Sequence, residues 1–233
     1  MNIASISRKF RQKRKKLRKF LKIGKRQSAA ALVQFCKVIR PHKPPVFIVG
    51  CGHSGTSILL AILGAHPSIH PIPKETFIGK KTKSRFNELV TNFEFLTIKA
   101  RKRRWIEKTP GNIRYLSPIF ERLPDAKVII IIRDGRDVAA SIQKRTGNLE
   151  NGIKRWCNDN LAGKEYWDNP NVYRIKYEDI ISDFEKTITD LLSFLDEKYY
   201  DDLKNYHKTP KKWYSNKISK PESASKKKPQ ATS

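Results

Sequence analysis

Apolar residues are grouped in short runs along the middle of the chain, and longer mixed segments separate these runs. The two clearest runs are 46–49 (VFIV) and 127–132 (KVIIII). Apolar runs without polar alternation are typical of parallel strands that are covered on both faces. Shorter runs at 105–107 and 172–175 predict two more strands. We therefore predict an α/β fold of the P-loop type, with three α/β/α layers around a mainly parallel central sheet.

Segments with helical character lie between the predicted strands. Prolines mark where several of these segments begin or end, because proline cannot continue a helix. The predicted helices cover 58–63, 82–98, 112–123, 151–168 and about 180–195. In the fourth helix we expect four large side chains to pack in the core, namely Trp156, Leu161, Tyr166 and Trp167.

A glycine-rich segment, 50–57 (GCGHSGTS), joins the first strand to the first helix. A strand, a glycine-rich turn and a helix direct backbone N–H groups and the helix dipole at a phosphate. A Walker A loop needs a lysine directly before its final hydroxyl residue, but here Thr56 and Ser57 follow Gly55. The segment thus predicts a phosphate-binding loop that is not built for ATP or GTP chemistry, and the alternative is a plain strand-to-helix turn with a capped helix.

A second group of polar residues follows the run at 127–132. Arg133 comes directly after the strand, and Ser141 and Arg145 share a face of the helix that follows. Two arginines and a hydroxyl suit a phosphate monoester. The alternative is a salt-bridged helix start that uses Asp134 and Asp137, and the spacing leaves both interpretations open.

A proline-rich segment, 67–77, follows the first helix and carries a single acidic residue, Glu75. The prolines predict an extended, rigid crossing that can place a side chain over a bound phosphate. Glu75 is then a candidate general base, and the alternative is a surface ion pair with the lysines around it.

The positive charge is concentrated at the two ends of the chain, although the whole chain carries a formal charge of +27. Residues 1–43 hold 15 Lys and Arg and no acidic residue, whereas 208–233 hold eight Lys and one acidic residue. The middle, 44–207, holds 26 basic and 21 acidic residues. We therefore predict a basic N-terminal arm (1–43), one α/β domain (44–207) and a lysine-rich, disordered C-terminal tail (208–233).

The basic arm has more than one possible partner. Phe10, Leu17 and Leu21 share a helical face, which suits an amphipathic helix on an anionic membrane or another polyanion. A solvated, disordered arm is equally compatible with such a block of like charges. We expect no specific nucleic acid as a partner.

The three cysteines, Cys36, Cys51 and Cys157, show neither a disulfide framework nor zinc-ligand spacing. No His, Asp or Cys cluster predicts a metal site. The chain shows neither a secretory signal nor an apolar run long enough to cross a membrane. We expect a cytoplasmic protein, with peripheral attachment to a membrane left open.

Two of these motifs together resemble the sulfotransferases that use 3′-phosphoadenylyl sulfate (PAPS). The segment 44–69 resembles their 5′-phosphosulfate loop, and 125–145 resembles their 3′-phosphate-binding strand and helix. The short segments 107–110 (EKTP) and 177–181 (YEDII) also fit. The pattern is that of the broad family that includes bacterial members and the tyrosylprotein sulfotransferases, and the similarity covers roughly 45–200.

The resemblance implies a donor site for PAPS, without a metal. In it, Arg133 and Ser141 grip the 3′-phosphate with assistance from Arg145. The 5′-phosphosulfate is held by the residues of the loop, namely Gly52, His53, Ser54, Gly55, Thr56 and Ser57.

The resemblance also implies three catalytic residues. Glu75 matches the general base of tyrosylprotein sulfotransferases, and Lys108 matches a lysine that contacts the transferring sulfuryl group. His53 stands where the family usually has Arg or Lys, a cation that stabilises charge on the leaving phosphate oxygen. This sequence departs from the family there, although an adjacent phosphate favours the charged form of an imidazole.

Three classes of function follow. The first is a PAPS-dependent sulfotransferase that modifies a hydroxyl or an amine. The second is a P-loop kinase or another nucleotide-dependent phosphotransferase, and the third is a non-catalytic protein that binds nucleic acid or a membrane through its basic ends. For the enzyme, an anionic acceptor such as an acidic peptide or a glycan is indicated by a basic rim, which comprises Lys80, Lys81, Lys83 and residues 101–104.

Overall fold

The structure is a computed structural model that describes residues 43–208. The predictions made for the basic arm and for the lysine-rich tail concern residues that, apart from 43 and 208, lie outside the described residues. Within 43–208 the chain forms a five-stranded parallel sheet with helices on both faces. The predicted α/β class and its parallel sheet are confirmed.

The sheet has the strand order β2-β3-β1-β4-β5. The strands are β1 (Val46–Gly50), β2 (Ile69–Pro71), β3 (Arg104–Lys108), β4 (Lys127–Ile132) and β5 (Val172–Lys176). β1 is central and pairs with β3 on one side and β4 on the other, which explains why all five of its residues are buried.

Seven α-helices are found within residues 43–208. They are α1 (Thr56–Gly64), α2 (Lys83–Lys99), α3 (Leu116–Arg122), α4 (Gly135–Thr146), α5 (Leu149–Lys164), α6 (Tyr177–Ser182) and α7 (Phe184–Phe194). Short 3₁₀ helices cover Ile78–Lys80, Pro110–Tyr115 and Asp201–Asn205.

The alternation of side chains along the strands divides the core into two layers. Val46 and Ile48 of β1 pack on one face, together with apolar residues of α1 and α7. Phe47 and Val49 face the other way and pack with apolar residues of α2 and α3. The apolar runs contribute to both layers because successive side chains of a strand point to opposite faces.

The structure differs from the sequence-based prediction in four places. Residues 69–71 of the proline-rich crossing form the edge strand β2. Pro71 has no backbone N–H to donate, and an edge strand tolerates this because no further strand pairs with its outer side. The helix predicted over 112–123 begins as a 3₁₀ turn, and the one predicted over 180–195 is interrupted at Asp183, whose side chain caps α7 through Lys186 N. Leu161 was expected in the core but is 62% exposed.

Candidate active site

The predicted site residues gather at one edge of the sheet. Because β3, β1 and β4 are parallel neighbours, Lys108, Gly50 and Arg133 lie at the carboxyl ends of adjacent strands. Ligands of open α/β sheets bind at this edge. The sheet topology therefore brings together motifs that are more than 80 residues apart in the sequence.

The glycine-rich loop turns sharply into α1. Gly55 is the N-cap of α1 and has a φ of 90°, and the ring of Tyr177 lies 2.3 Å from the position that a Cβ at residue 55 would take. Both facts require glycine here. The Ser54 hydroxyl is buried and has no hydrogen-bond partner among residues 43–208. A buried hydroxyl without a partner, at the start of a helix, suits a loop that binds a phosphate oxygen.

His53 connects the loop to the second predicted motif. Its Nδ1 lies 2.9 Å from Ser141 Oγ on α4, and its carbonyl accepts a hydrogen bond of 3.3 Å from Arg133. The His53 backbone has a φ of 72°, so the residue is held in a conformation that side chains rarely adopt. The two predicted phosphate-binding motifs are thus in direct contact.

Arg133 makes contacts that fit both interpretations of its motif, namely phosphate binding and a salt-bridged helix start. Its guanidinium stacks on Tyr177, with 4.6 Å from Cζ to the ring centre, and donates to Asp137 at 3.0 Å. Its Nε is buried and has no hydrogen-bond partner in the described part of the chain. The salt-bridged helix start also forms, because Asp134 binds Arg136 at 2.6 Å.

The imidazole of His53 is surrounded by positive charge. Partial burial lowers its pKa below the usual value, and the charges of Arg145, Arg155 and Arg133 lower it further. Because burial and these arginines both disfavour the charged form, the neutral imidazole predominates at pH 7. Arg145 is therefore close enough to the loop for its charge to act on His53.

Glu75 and Lys108 form an ion pair of 2.5 Å above the end of β3. The Lys108 side chain is 8% exposed, whereas that of Glu75 is 42% exposed. Glu75 is therefore in an ion pair, but its partner is the nearly buried Lys108 and not one of the neighbouring surface lysines. The pair places a partly exposed carboxylate beside a nearly buried ammonium.

The buried carboxylate of Glu107 holds the segment that carries Glu75. It accepts hydrogen bonds from the Thr76 N–H (3.1 Å), the Thr76 hydroxyl (2.8 Å) and Asn112 (3.2 Å), and a short one from the Thr109 hydroxyl. Burial raises the pKa of Glu107, although the hydrogen bonds from Thr109 and Thr76 oppose this shift. In the EKTP segment, Lys108 thus belongs to the candidate site, and Glu107 and Thr109 support it.

Sequence reasoning missed several residues of the site. Tyr177 follows β5 just as Arg133 follows β4, and this position was a signal that could have identified it. Trp156 was expected in the core, yet its indole N–H donates to the Arg133 carbonyl at 2.9 Å. Glu107 and Thr109 lie in the EKTP segment, and Arg155 and Asp159 have the i,i+4 spacing of a helical ion pair, but neither pattern shows that these residues adjoin the site. No local pattern marks Thr76.

The predicted basic rim is only partly correct. Lys80, Lys81 and Lys83 are exposed and follow the segment that carries Glu75. Residues 101–103 precede β3 and Arg104 is its first residue, so all four lie at the opposite edge of the sheet. Arg104 is also buried, where it donates to the Leu195 carbonyl at 2.8 Å.

Within residues 43–208, no group of His, Cys, Asp and Glu side chains is arranged to hold a metal ion. The same residues contain no helix with the length and apolar character that membrane crossing requires.

Residues 84–202 match the family model described as the sulfotransferase family. This range is about half of the chain and includes Lys108, Arg133, Ser141 and Arg145. The chain belongs to the sulfotransferase family. Family membership supports a transferase that moves a sulfuryl group.

Solved structures of sulfotransferases share this fold. The mouse sulfotransferase SULT7A1, complexed with PAP, superposes with a TM-score of 0.54 at 22% identity and covers 72% of this chain and 64% of its own. The sulfotransferase domain of the Synechococcus PCC 7002 olefin synthase has a TM-score of 0.52 at 20% identity, covering 72% and 79%. A sulfotransferase from Alicyclobacillus acidocaldarius has a TM-score of 0.51 at 20% identity, covering 70% and 89%.

A curated relative is an uncharacterized protein of Aquifex aeolicus, which is 27% identical over 210 residues. The match covers 72% of this chain but only 28% of that protein. The chain therefore spans little more than a quarter of the length of this relative.

Proposed function

We propose that the protein is a PAPS-dependent sulfotransferase that transfers a sulfuryl group to a hydroxyl or an amine of its acceptor. The observation that carries this proposal is the contact between His53 and Ser141, since it joins the glycine-rich loop to the Arg133 motif beside Lys108 and Glu75. Two phosphate-binding surfaces side by side suit a nucleotide with phosphates at both its 3′ and 5′ positions.

The residues present fit such a donor. Ser54 and Arg133 each carry a buried polar atom without a partner in the described part of the chain, and both atoms lie at the site. Arg133, Ser141 and Arg145 would hold the 3′-phosphate, a group that ATP lacks. Residues 52–57 would hold the 5′ side through backbone N–H groups and hydroxyls.

The bound donor supplies the sulfuryl group. Glu75 is the proposed general base, since its exposed carboxylate can accept the proton of an acceptor hydroxyl. Lys108 holds a nearly buried positive charge beside it, which stabilises negative charge that develops during transfer.

We further propose that the acceptor is anionic. Lys80, Lys81 and Lys83 are exposed on the segment that follows Glu75, whereas residues 101–104 lie too far from the site to contribute. A cluster of exposed lysines attracts acidic peptides and charged glycans.

The test is calorimetric titration of the full chain with adenosine 3′,5′-bisphosphate (PAP), 5′-AMP and ATP–Mg²⁺. PAP is a suitable probe because the mouse structure that shares the fold is a complex with PAP. Tight binding of the bisphosphate alone supports the donor site. Preference for ATP–Mg²⁺ indicates a phosphotransferase instead, and binding of none of the three indicates a non-catalytic role.

A further inference from the structure

Arg155 places a third arginine at the glycine-rich loop. This residue lies on α5, which neither of the two phosphate-binding motifs includes. A Cβ at Gly52 would lie 2.6 Å from one terminal nitrogen of the Arg155 guanidinium and 3.1 Å from its Cζ. The guanidinium therefore packs directly on the loop backbone, in the space that a side chain at position 52 would enter.

A buried carboxylate fixes this arginine. Asp159 lies one turn further along α5, is 2% exposed and forms an ion pair of 3.6 Å with Arg155 Nε. Its other oxygen accepts a hydrogen bond of 2.6 Å from Arg114, so the carboxylate is held from both sides. An anchored acceptor restricts the rotamers of a long arginine side chain before any ligand binds.

The guanidinium remains available to an anion. The Arg155 side chain is 46% exposed, and in the described part of the chain its ion pair with Asp159 involves Nε rather than the terminal nitrogens. Burial and the Asp159 carboxylate raise the pKa of the neighbouring Cys51 thiol to about 12, so Cys51 supplies no competing negative charge. The terminal N–H groups of Arg155 thus face the loop, and the ion pair with Asp159 does not use them.

The loop itself lacks a fixed positive charge. His53 is its only basic residue and is surrounded by arginines that disfavour the imidazolium. An arginine remains charged at any physiological pH. The neighbouring helix α5 therefore carries, on Arg155, a permanent positive charge that the loop itself does not contain.

Resting on the proposed function, we infer that Arg155 binds the 5′-side phosphate of the donor and supplies the fixed positive charge that the loop lacks. Asp159 is the positioning residue that directs Arg155 at Gly52. The 3′-phosphate would be bound by Arg133, Ser141 and Arg145, so different arginines contact the two phosphates.

Truncated nucleotides separate the two sets of arginines. The full chain and its Arg155→Gln variant are titrated with PAP and with adenosine 3′-phosphate, which lacks the 5′ group. We expect Arg155→Gln to weaken binding of PAP about 10- to 100-fold, the range for a hydrogen bond to a charged group. Binding of adenosine 3′-phosphate should change by less than about twofold.

Lys154→Gln is the matched control. It removes the same charge from the adjacent position, but Lys154 is exposed and pairs with Glu150. We expect its affinities to equal those of the unmodified chain. Arg155→Lys retains a charge without the planar fork and should fall between the wild type and Arg155→Gln.

One further variant tests whether a positive charge placed in the loop replaces that of Arg155, and another tests whether Asp159 positions Arg155. His53→Arg combined with Arg155→Gln should recover much of the lost affinity for PAP, because the charge returns to the loop. Asp159→Asn should weaken binding of PAP but not of adenosine 3′-phosphate, and a merely structural role would not distinguish the two nucleotides. Circular dichroism of each variant confirms that it is folded.

The inference is overturned if Arg155→Gln weakens both nucleotides equally, or if Lys154→Gln has the same effect as Arg155→Gln. It is also overturned if PAP binds the wild type tightly and Arg155→Gln leaves that affinity unchanged, in which case the proposed function stands. If the wild type binds PAP no better than 5′-AMP, the proposed function fails first and this inference fails with it.

Discussion

Glu107 accepts hydrogen bonds from both the N–H and the hydroxyl of Thr76, although the two residues lie in different segments of the chain. Glu107 is completely buried in β3, whereas Thr76 belongs to an irregular segment that follows β2. The neighbour of each partner is a proposed catalytic residue, because Glu75 precedes Thr76 and Lys108 follows Glu107. The buried contact thereby sets the distance between the base and the lysine.

Replacing Glu107 tests this arrangement. Glu107→Ala leaves the N–H and hydroxyl of Thr76, the Thr109 hydroxyl and the Asn112 amide without their acceptor, so we expect a loss of about 3 kcal/mol in unfolding free energy. Urea unfolding followed by circular dichroism measures this loss. Glu121→Ala is the control, since Glu121 is on the surface and bonds only to Ser117 in the same helix; an equal loss in both variants would contradict the supporting role.

Glu75→Gln tests the general base. The amide keeps the size of the side chain but cannot accept a proton, so we expect turnover to fall about 10²- to 10⁴-fold once an acceptor is known. Affinity for PAP should stay within about twofold, because the proposed donor-binding residues are untouched. Glu150→Gln, which alters an exposed ion pair with Lys154, is the control. Full turnover in Glu75→Gln would exclude Glu75 as the base.

Arg133→Gln tests the 3′-phosphate grip. The Arg133 side chain is only 25% exposed, so its loss should be costly for binding. We expect the binding free energy of PAP to weaken by about 2–5 kcal/mol, which raises its Kd at least about 30-fold. Affinity for 5′-AMP, which lacks the 3′ group, should change little. Arg136→Gln removes an equal charge three residues away, where the side chain is 91% exposed and pairs with Asp134. Equal effects of the two substitutions on PAP would indicate a general charge effect instead.

The strands could be predicted because their signals are local, whereas phosphate binding by the two motifs stays a prediction, although the structure brings their residues together. An apolar run such as 127–132 identifies a buried strand, and residues that directly follow such strands come together at the carboxyl edge. Arg133 and the glycine-rich loop were found by this reasoning, and the structure joins them through His53.

The supporting residues could not be predicted because their roles depend on packing between distant segments. Asp159 looks like any acid on a polar helix, yet it is buried between Arg114 and Arg155. Arg104 looks like part of a basic surface, but the fold buries it against the carbonyl of Leu195. The spacing of Arg155 and Asp159 allows a pair along one helix, but the local sequence indicates neither the burial of Asp159 nor the contacts with Arg114 and Leu195, because these depend on other elements.

Gly55→Ala should disrupt the loop by two effects at once. A positive φ is unfavourable for alanine by about 1–2 kcal/mol, and the new methyl group would overlap the Tyr177 ring that supports Arg133. Gly147 offers a matched control, because its φ is 75° and no atom lies within 4 Å of a Cβ built there. We expect thermal unfolding to show a larger loss of stability for Gly55→Ala by about 1–3 kcal/mol. Equal losses would show that the Tyr177 ring moves freely.

Binding of PAP should strengthen as the pH falls below 7. In the free protein, burial and the surrounding arginines hold the pKa of His53 below its usual value, so the imidazole is neutral at pH 7. A phosphate beside it favours the imidazolium, so the pKa of His53 is higher in the complex than in the free protein. Binding then takes up a proton, and affinity rises as the pH falls towards the pKa of the free form.

Calorimetry between pH 8 and pH 5.5, in two buffers of different ionisation enthalpy, measures this proton uptake. The phosphates of PAP also titrate in this range, so the matched variant is His53→Asn, which tolerates the backbone φ of 72° and cannot be protonated. We expect the variant to show a flatter pH profile and less proton uptake than the wild type. Identical profiles would mean that His53 stays neutral beside the phosphate, which would leave the positive charge at the loop to the arginines alone.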